Sequence, residues 1–290
     1  MVDVTLNWKD LNFGESEQRI YRSTSPMNPL SLPTELDTVA ADVQTYTDTT
    51  AVEDETYYYR VAAVDPSSNL YVSDEVEITA SYPYPTDMEV YFTGDNVTGS
   101  TVIDEQGNYN GTIFGSVTQV AGQVGQAFNF PGSADYIRMD HAFWSSISEF
   151  TIACWIKTTS QGTWISKIRD PYSTTGLIFF RSISDQSDFR VGNTSTLSTG
   201  INFVTNVRDG NWHHVVCTYS ASGHKLYVDG ALDSSSAEYI GALSFTATSY
   251  WNIGRDGRGQ DDFNGQVDDI RFYDYELTGA EILGLYNTFA

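Results

Sequence analysis

The sequence predicts an all-β protein built as two β-sandwich domains in series. Three observations predict it. Apolar and polar residues alternate along many short segments, the period of a half-buried strand. Gly, Asn, Asp, Ser and Pro punctuate those segments with turn chemistry. The 290 residues exceed one typical domain and fit two. Apolar residues make up 40% of the chain and aromatics 14%, enough for packed cores of the kind strands favour.

Residues 1–80 read as the first domain. In VDVTLNW, Val2, Val4, Leu6 and Trp8 share one strand face, and in QRIYRST Ile20 sits between polar neighbours. In YYYRVAAV, Tyr57, Tyr59, Val61 and Ala63 share a face. The strand VEITA follows the turn DPSSN, and no segment carries a helical period. Residues 81–87, SYPYPTD, read as a short semi-rigid linker stiffened by Pro83 and Pro85.

From residue 88 to 290 about a dozen short strands recur without βαβ alternation, among them DYIRM, FTIACWIK, HHVVCTY, HKLYVDG, YWNIG and VDDIRFYDY. Asp229-Gly230 in HKLYVDG fits a two-residue hairpin turn. One helix is predicted near the end, in LTGAEILGLYN. Thr278 caps it, Glu281 takes the third position, and Ile282, Leu285 and Tyr286 share a face.

Two resemblances sharpen this reading. Trp8, the YTDTT segment and Tyr57 opening ETYYYRVAAVD resemble a fibronectin type III domain. That likeness implies that the Tyr57 hydroxyl bonds back to nearby backbone. The family begins with an edge strand before the Trp strand, and here the Trp strand starts beside Met1, so that first strand is missing, cut away or supplied by another chain. The segment IYRSTSPM is also similar to versions of this domain in bacteriophage structural proteins. Residues 88–290 resemble the laminin-G-like, concanavalin A-like jelly roll, through DEQGNYNGTIFG, VGQAFNFPGSADYIRM, FTIACWIKTTS, GNWHHVVCTYS, HKLYVDG and FNGQVDDIRFYDYELTGAEILGLYN.

Charge narrows the partners. Against 15 basic residues stand 38 acidic ones, a net of -23. Residues 1–82 hold 4 Lys+Arg and 15 Asp+Glu, and residues 83–290 hold 11 and 23, so both domains are acidic. Such a surface repels phosphate backbones and anionic lipid headgroups. No nucleic acid partner and no membrane insertion are therefore expected; no stretch of 18 apolar residues appears. The start MVDVTLNW lacks a basic region followed by an apolar run. The chain is then used inside a cell, trimmed, or released without secretion, as phage virion proteins are on lysis.

The two cysteines, Cys154 and Cys217, lie in apolar strands and read as buried free thiols, with a cross-strand disulfide as the alternative. His213 and His214 are successive strand residues that point to opposite faces, so they cannot chelate one ion together. The central strands FTIACWIK and HHVVCTYS contain no Asp or Glu, and a sandwich glycosidase needs two acids flanking the sugar bond. The chain is expected not to be an enzyme. The sequons at Asn96, Asn110 and Asn193 carry little meaning outside a eukaryotic secretory route.

Two kinds of site remain. The jelly-roll resemblance implies a structural Ca2+ where the opening loop meets the closing strand, with Asp104, Asn108 and Asp268 as ligands. The alternative is that Asp104 and Asn108 form an Asx turn and Asp268 bonds backbone. The loop IRDPYSTTG offers Arg169, Asp170 and Tyr172 for a sugar. The loop GRDGRGQDD offers Arg255, Asp256, Arg258, Asp261 and Asp262. The functional expectation is a non-catalytic virion protein: a phage fibre, tail appendage or capsid decoration. Its jelly roll would bind cell-surface glycan or a neighbouring subunit, and its partners would be other virion proteins or its own copies. The alternative is a fragment of a bacterial secreted or surface carbohydrate-binding protein, with a glycoside hydrolase third.

Overall fold

The computed structural model describes residues 2–9, 14–52, 55–80, 86–132, 134–139, 143–168, 177–183, 186–193, 198–245, 250–256, 259 and 261–289. The chain divides into two compact units, Met1–Pro83 and Tyr84–Ala290. Residues 81–85 of the expected linker lie outside the described residues.

The smaller unit holds β1 (Val2–Asn7), β2 (Glu17–Ser23), β3 (Glu35–Ala40), β4 (Thr45–Ala51), β5 (Thr56–Val64), β6 (Leu70–Val72) and β7 (Val76–Thr79). β1 pairs β4 in one sheet. The other sheet runs β3-β2-β5-β6, with β7 also on β5. Alternation sends Leu6, Ile20, Tyr57 and Tyr59 into one core between the sheets. The Tyr57 hydroxyl accepts the Val52 N–H at 3.1 Å, five residues upstream. Among the described residues, β1 has β4 as its only partner strand. Beside it opens a groove of about 460 Å3, lined chiefly by Leu6, Trp8, Tyr59, Val61, Val76 and Ile78.

A buried carboxylate ties this unit's two sheets together. Asp48 on β4 is fully buried. It accepts Arg22 Nη1 of β2 at 2.7 Å, the Tyr59 hydroxyl of β5 at 2.8 Å, and the Thr50 N–H and hydroxyl at 2.8 and 2.7 Å. Burial alone would push its pKa up. The hydrogen bonds from Thr50, Tyr59 and Arg22 outweigh that, and the carboxyl sits below the usual range.

The larger unit begins with β8 (Val90–Phe92), β9 (Val97–Thr98), β10 (Thr101–Val102), β11 (Gly111–Phe114), β12 (Thr118–Ala121), β13 (Gln126–Pro131) and β14 (Tyr136–Met139). It continues through β15 (Ser146–Ile147), β16 (Phe150–Lys157), β17 (Gly162–Ile168), β18 (Leu177–Ile183), β19 (Gln186–Gly192) and β20 (Ile201–Asn202). It closes with β21 (Trp212–Ser220), β22 (Gly223–Val228), β23 (Ala231–Ser236), β24 (Leu243–Ser244), β25 (Tyr250–Ile253), β26 (Asn264–Tyr273) and the helix α1 (Gly279–Phe289).

Two large antiparallel sheets face each other. One has nine strands in the order β20-β19-β18-β17-β25-β14-β11-β10-β9. The other has eight, β12-β13-β26-β16-β21-β22-β23 with β8 also on β26. Their inner faces form one core that includes Phe128, Ile137, Met139, Phe150, Ile152, Cys154, Trp251, Ile253 and Phe272. Cys154 and Cys217 are buried free thiols, as expected. Asp229 and Gly230 both take positive φ, 50° and 78°, between β22 and β23, the requirement of the expected two-residue hairpin.

The eight-stranded sheet is covered on its outer side. Ala153, Val216 and Tyr273 point away from the main core and pack with Leu277, Ile282 and Leu285 at α1. Thr278 and Glu281 exchange the expected capping bonds, the Glu281 N–H to Thr278 Oγ1 at 3.3 Å and the Thr278 N–H to Glu281 Oε2 at 2.7 Å. Tyr286 stacks on Trp155 at 5.7 Å.

Replacing Asp48 with Ala is expected to strip the buried Tyr59 hydroxyl and Arg22 of their shared partner. The cost is about 3 kcal/mol, or roughly a hundredfold less hydrogen-exchange protection across β2, β4 and β5 at pH 7. Because the folded pKa lies below the unfolded value, this stabilisation is complete above the unfolded pKa. It is lost as pH falls through the folded one, so in wild type it fades below about pH 4. Equal protection in Asp48→Ala and wild type at pH 7 would contradict this role.

Candidate functional site

The outer face of the nine-stranded sheet lies opposite the core-facing side chains. On β14, Ile137 and Met139 are buried in the core, so Tyr136 and Arg138 point outward and are half-buried. On β25, Trp251 and Ile253 go inward, so Tyr250 and Asn252 go outward. On β11, Phe114 lies outward and is 38% exposed. The register aligns Phe114 with Tyr136, and Arg138 with Asn252.

These neighbours form a continuous row. The Phe114 and Tyr136 rings stack at 4.7 Å with 9° between their planes. The Arg138 guanidinium lies 5.4 Å from the Phe114 ring, 5.1 Å from Tyr136 and 4.9 Å from Tyr250. Arg138 Nε donates to Asn252 Oδ1 at 3.3 Å, and Asn252 Nδ2 donates to the Tyr250 carbonyl at 3.3 Å. At one end Arg255 reaches over the Tyr136 ring at 4.9 Å while Nε pairs with Asp262 at 3.1 Å. The other Asp262 oxygen accepts the Ala134 N–H at 3.0 Å. Flat π-faces beside fixed hydrogen-bonding groups can hold a sugar ring, whose apolar face stacks while its hydroxyls bond.

Of the loop residues expected to bind ligand, Arg255 stands in this row. Asp256 is buried at its end, next to the Arg255 carbonyl that accepts Ser166 Oγ at 2.9 Å. Arg169, Asp170, Tyr172 and Arg258 lie outside the described residues. Ile168, the last residue of β17, pairs with Tyr250 at the row's other end. The sequence alone pointed to loop residues and not to this sheet surface. The available signal was the alternation in DYIRM and YWNIG, which exposes an aromatic and a polar residue on one face.

The expected calcium ligands are engaged with the backbone, as the Asx-turn alternative has it. Asp104 Oδ1 accepts the Tyr91 and Gln106 N–H groups at 2.8 and 3.1 Å, and Oδ2 accepts those of Asn108 and Tyr109 at 3.0 and 2.9 Å. Asn108 turns its side-chain amide to the Glu89 carbonyl at 3.3 Å. Asp268 Oδ2 accepts the Val124 N–H and Oδ1 the Asp269 N–H, both at 2.8 Å. Burial pushes the Asp268 pKa up to about 6 despite these bonds. A side chain on Gly122 would meet Asp268 Oδ2 at 2.3 Å, so glycine is required where that carboxylate pins the turn. The four N–H groups on Asp104 occupy its oxygens, and two backbone N–H groups meet Asp268, so both carboxylates hold turns in place through backbone bonds. Among the described residues, no group of three His, Cys, Asp or Glu side chains could hold a metal ion.

The histidines have separate roles. His213 Nδ1 meets Asp229 at 2.8 Å and Nε2 meets Asp209 at 3.2 Å, tying two turns together. His214 is buried among Trp155 and Tyr286, and burial lowers its pKa to about 3. The closing strand's Asp269 is buried and paired with Arg271 at 2.8 Å. Lys167, fully buried, donates to the Phe143 carbonyl and lies 5.3 Å from the Trp251 ring.

Comparison with known proteins adds the following. The family described as the concanavalin A-like lectin/glucanases superfamily matches residues 131–283. No curated protein matches the sequence. Domain 4 of a GH43 extracellular arabinanase from Geobacillus stearothermophilus, solved in complex with arabinotriose, is 19% identical with a TM-score of 0.56, covering 69% of this chain and 98% of that one. The ligand binding domain of botulinum neurotoxin serotype D, in complex with N-acetylneuraminic acid, is 17% identical with a TM-score of 0.55, covering 69% of this chain and 50% of that one. A structure of botulinum neurotoxin type C, whose cell entry depends upon interaction with two ganglioside molecules, is 20% identical with a TM-score of 0.54, covering 70% and 51%. This chain thus spans about half the length of the neurotoxin chains. Likeness at these identities shows the fold.

The backbone-bonded Asp104 and Asp268 carboxylates give a direct expectation for metal. Adding a chelator, or millimolar calcium after it, should leave the melting temperature unchanged. An ion bound only by the folded state at a hundredfold excess over its Kd would add about 2.7 kcal/mol, so a calcium-dependent rise of several degrees would restore the structural-ion reading.

Proposed function

We propose that this chain, which belongs to the concanavalin A-like lectin/glucanases superfamily, is a glycan-binding adhesion module without catalytic activity. The observation that carries this reading is the row of Phe114, Tyr136, Arg138 and Tyr250 on the outer face of the nine-stranded sheet. The arabinotriose complex of the arabinanase domain, and the N-acetylneuraminic acid complex and ganglioside dependence of the neurotoxins, support a saccharide as its ligand. Hydrolysis of a glycosidic bond needs two carboxyls facing a sugar. Asp268 and Asp269 on the central strand β26 are 0% and 2% exposed, and both are committed to backbone N–H groups or to Arg271.

Within this reading the smaller unit is a fibronectin type III-like spacer or attachment domain. Its two-sheet arrangement and the bond from the Val52 N–H to Tyr57 support that identity. The edge of β1 that carries no strand among the described residues, and the apolar groove beside it, offer a place for a strand of another chain. The whole protein is then a virion component, a phage fibre, tail appendage or capsid decoration, with a bacterial surface or secreted protein as the alternative setting. Its presence or absence in purified virus particles decides between them.

Glycan binding is tested with an immobilised saccharide panel. Tyr136→Ala and Tyr250→Ala are each expected to weaken the bound members roughly five- to tenfold, since a lost ring stack costs about 1 kcal/mol, while both variants still unfold cooperatively; Tyr136→Ala, which also loses the Phe114 stack, should melt a few degrees lower. Wild-type protein should release no reducing ends from polysaccharides above a heat-inactivated control. Absence of binding across the panel would overturn the adhesion reading, and sugar release would overturn the non-catalytic one.

A further inference from the structure

The cations of this chain are sparse, and among the described residues seven pair with a carboxylate. Arg22, Arg190, Arg255 and Arg271 each pair with an aspartate. Arg19, Arg60 and Lys225 pair with glutamates. Arg138 differs. Its partners are three aromatic rings and the Asn252 amide oxygen, and among the described residues no carboxylate lies within ion-pair distance. The nearby acids are already engaged, Asp262 by Arg255 and the Ala134 N–H, and Asp135 by the Ser116 N–H at 2.5 Å. Among the described residues, therefore, a guanidinium without a carboxylate partner sits in the middle of the row on a protein of net charge -23.

We propose that the platform selects a saccharide that ends in a single carboxylated sugar, and that Arg138 binds the carboxylate while Tyr136 or Tyr250 stacks on the ring. The inference rests on the glycan reading above and names the ligand class of that site. Nε of Arg138 is held by Asn252, which leaves the two terminal nitrogens as a fork, and a carboxylate matches a fork with two parallel charge-assisted hydrogen bonds. The rings on either side shield the guanidinium from water, which strengthens the pairing. The same site disfavours a polyanion. Among the described residues Arg138 is the platform's one cation without a carboxylate partner, so it matches one negative charge, and the net charge of -23 repels a chain of carboxylates or sulfates.

The test compares matched probes on the full chain by titration calorimetry and on a printed array: oligosaccharides capped with sialic or glucuronic acid, the same cores uncapped, and the polyanions heparin and polygalacturonate. The capped members should bind at least tenfold more tightly than their cores, and more tightly than either polyanion. Arg138→Met, which keeps the stem packed between the rings, should erase the capped-over-core preference while the residual affinity for the core persists. Arg138→Lys, which keeps the charge but loses the fork, should recover part of it. Equal affinity for capped and uncapped members, or a preference for the polyanions, would overturn the carboxylate inference and leave the glycan reading standing. Binding of no member would overturn both. A capped-over-core preference that survives in Arg138→Met with an unchanged melting temperature would remove Arg138 from the role.

Discussion

Everything in the larger unit depends on one constraint: each strand must bury one face against the opposite sheet. On β14 that requirement draws Ile137 and Met139 inward and leaves Tyr136 and Arg138 outside. On β25 it draws Trp251 and Ile253 inward and leaves Tyr250 and Asn252 outside. The same rule on β16 and β21 sends Ala153 and Val216 out of the main core, but there α1 covers them. Fully burying Ile282 and Leu285 stabilises that cover by about 1.5–3 kcal/mol each. The two sheets therefore differ in kind. One outer face is apolar and roofed by α1, and the other carries an aromatic and cationic row.

That row is also held in place before any ligand arrives. The Phe114–Tyr136 stack contributes roughly 0.5–1.5 kcal/mol, and each guanidinium over a ring about 0.5–1 kcal/mol. Asn252 fixes Arg138 from the neighbouring strand, and Asp262 fixes Arg255 from the loop after β25. Side chains on adjacent strands, locked by one another, lose little freedom when a sugar binds, which favours affinity from a small surface. The carboxylates that attract attention in the sequence do different work. Asp104, Asp229 and Asp268 each collect backbone N–H groups and shape turns around the sandwich.

Much of the fold was legible in the sequence because local chemistry decides it. The capping pair Thr278 and Glu281, the Asp229-Gly230 hairpin and the inward Cys154 and Cys217 follow from residue type and period alone. The sheet platform was not legible. Phe114, Tyr136 and Tyr250 are far apart in the chain, and each alone reads as an ordinary outward residue. Only the pairing of β11 with β14 and of β14 with β25 brings them together. Asp104 and Asp268 are ambiguous in the sequence for a related reason. An Asp beside Gly and Asn offers the same oxygens to a metal as to backbone N–H groups, and the loop's own geometry chooses between them. In the smaller unit the Asp48 network was hidden likewise, since Arg22, Asp48 and Tyr59 come from three strands.

The central claim is that ligand meets the outer face of the nine-stranded sheet. A structure of the full chain with a bound carboxylate-capped oligosaccharide tests it most directly. The account predicts sugar density against Tyr136 or Tyr250 with a carboxylate at the terminal nitrogens of Arg138. Saccharide bound elsewhere on the protein, with the Phe114, Tyr136, Arg138 and Tyr250 side chains untouched, would contradict it.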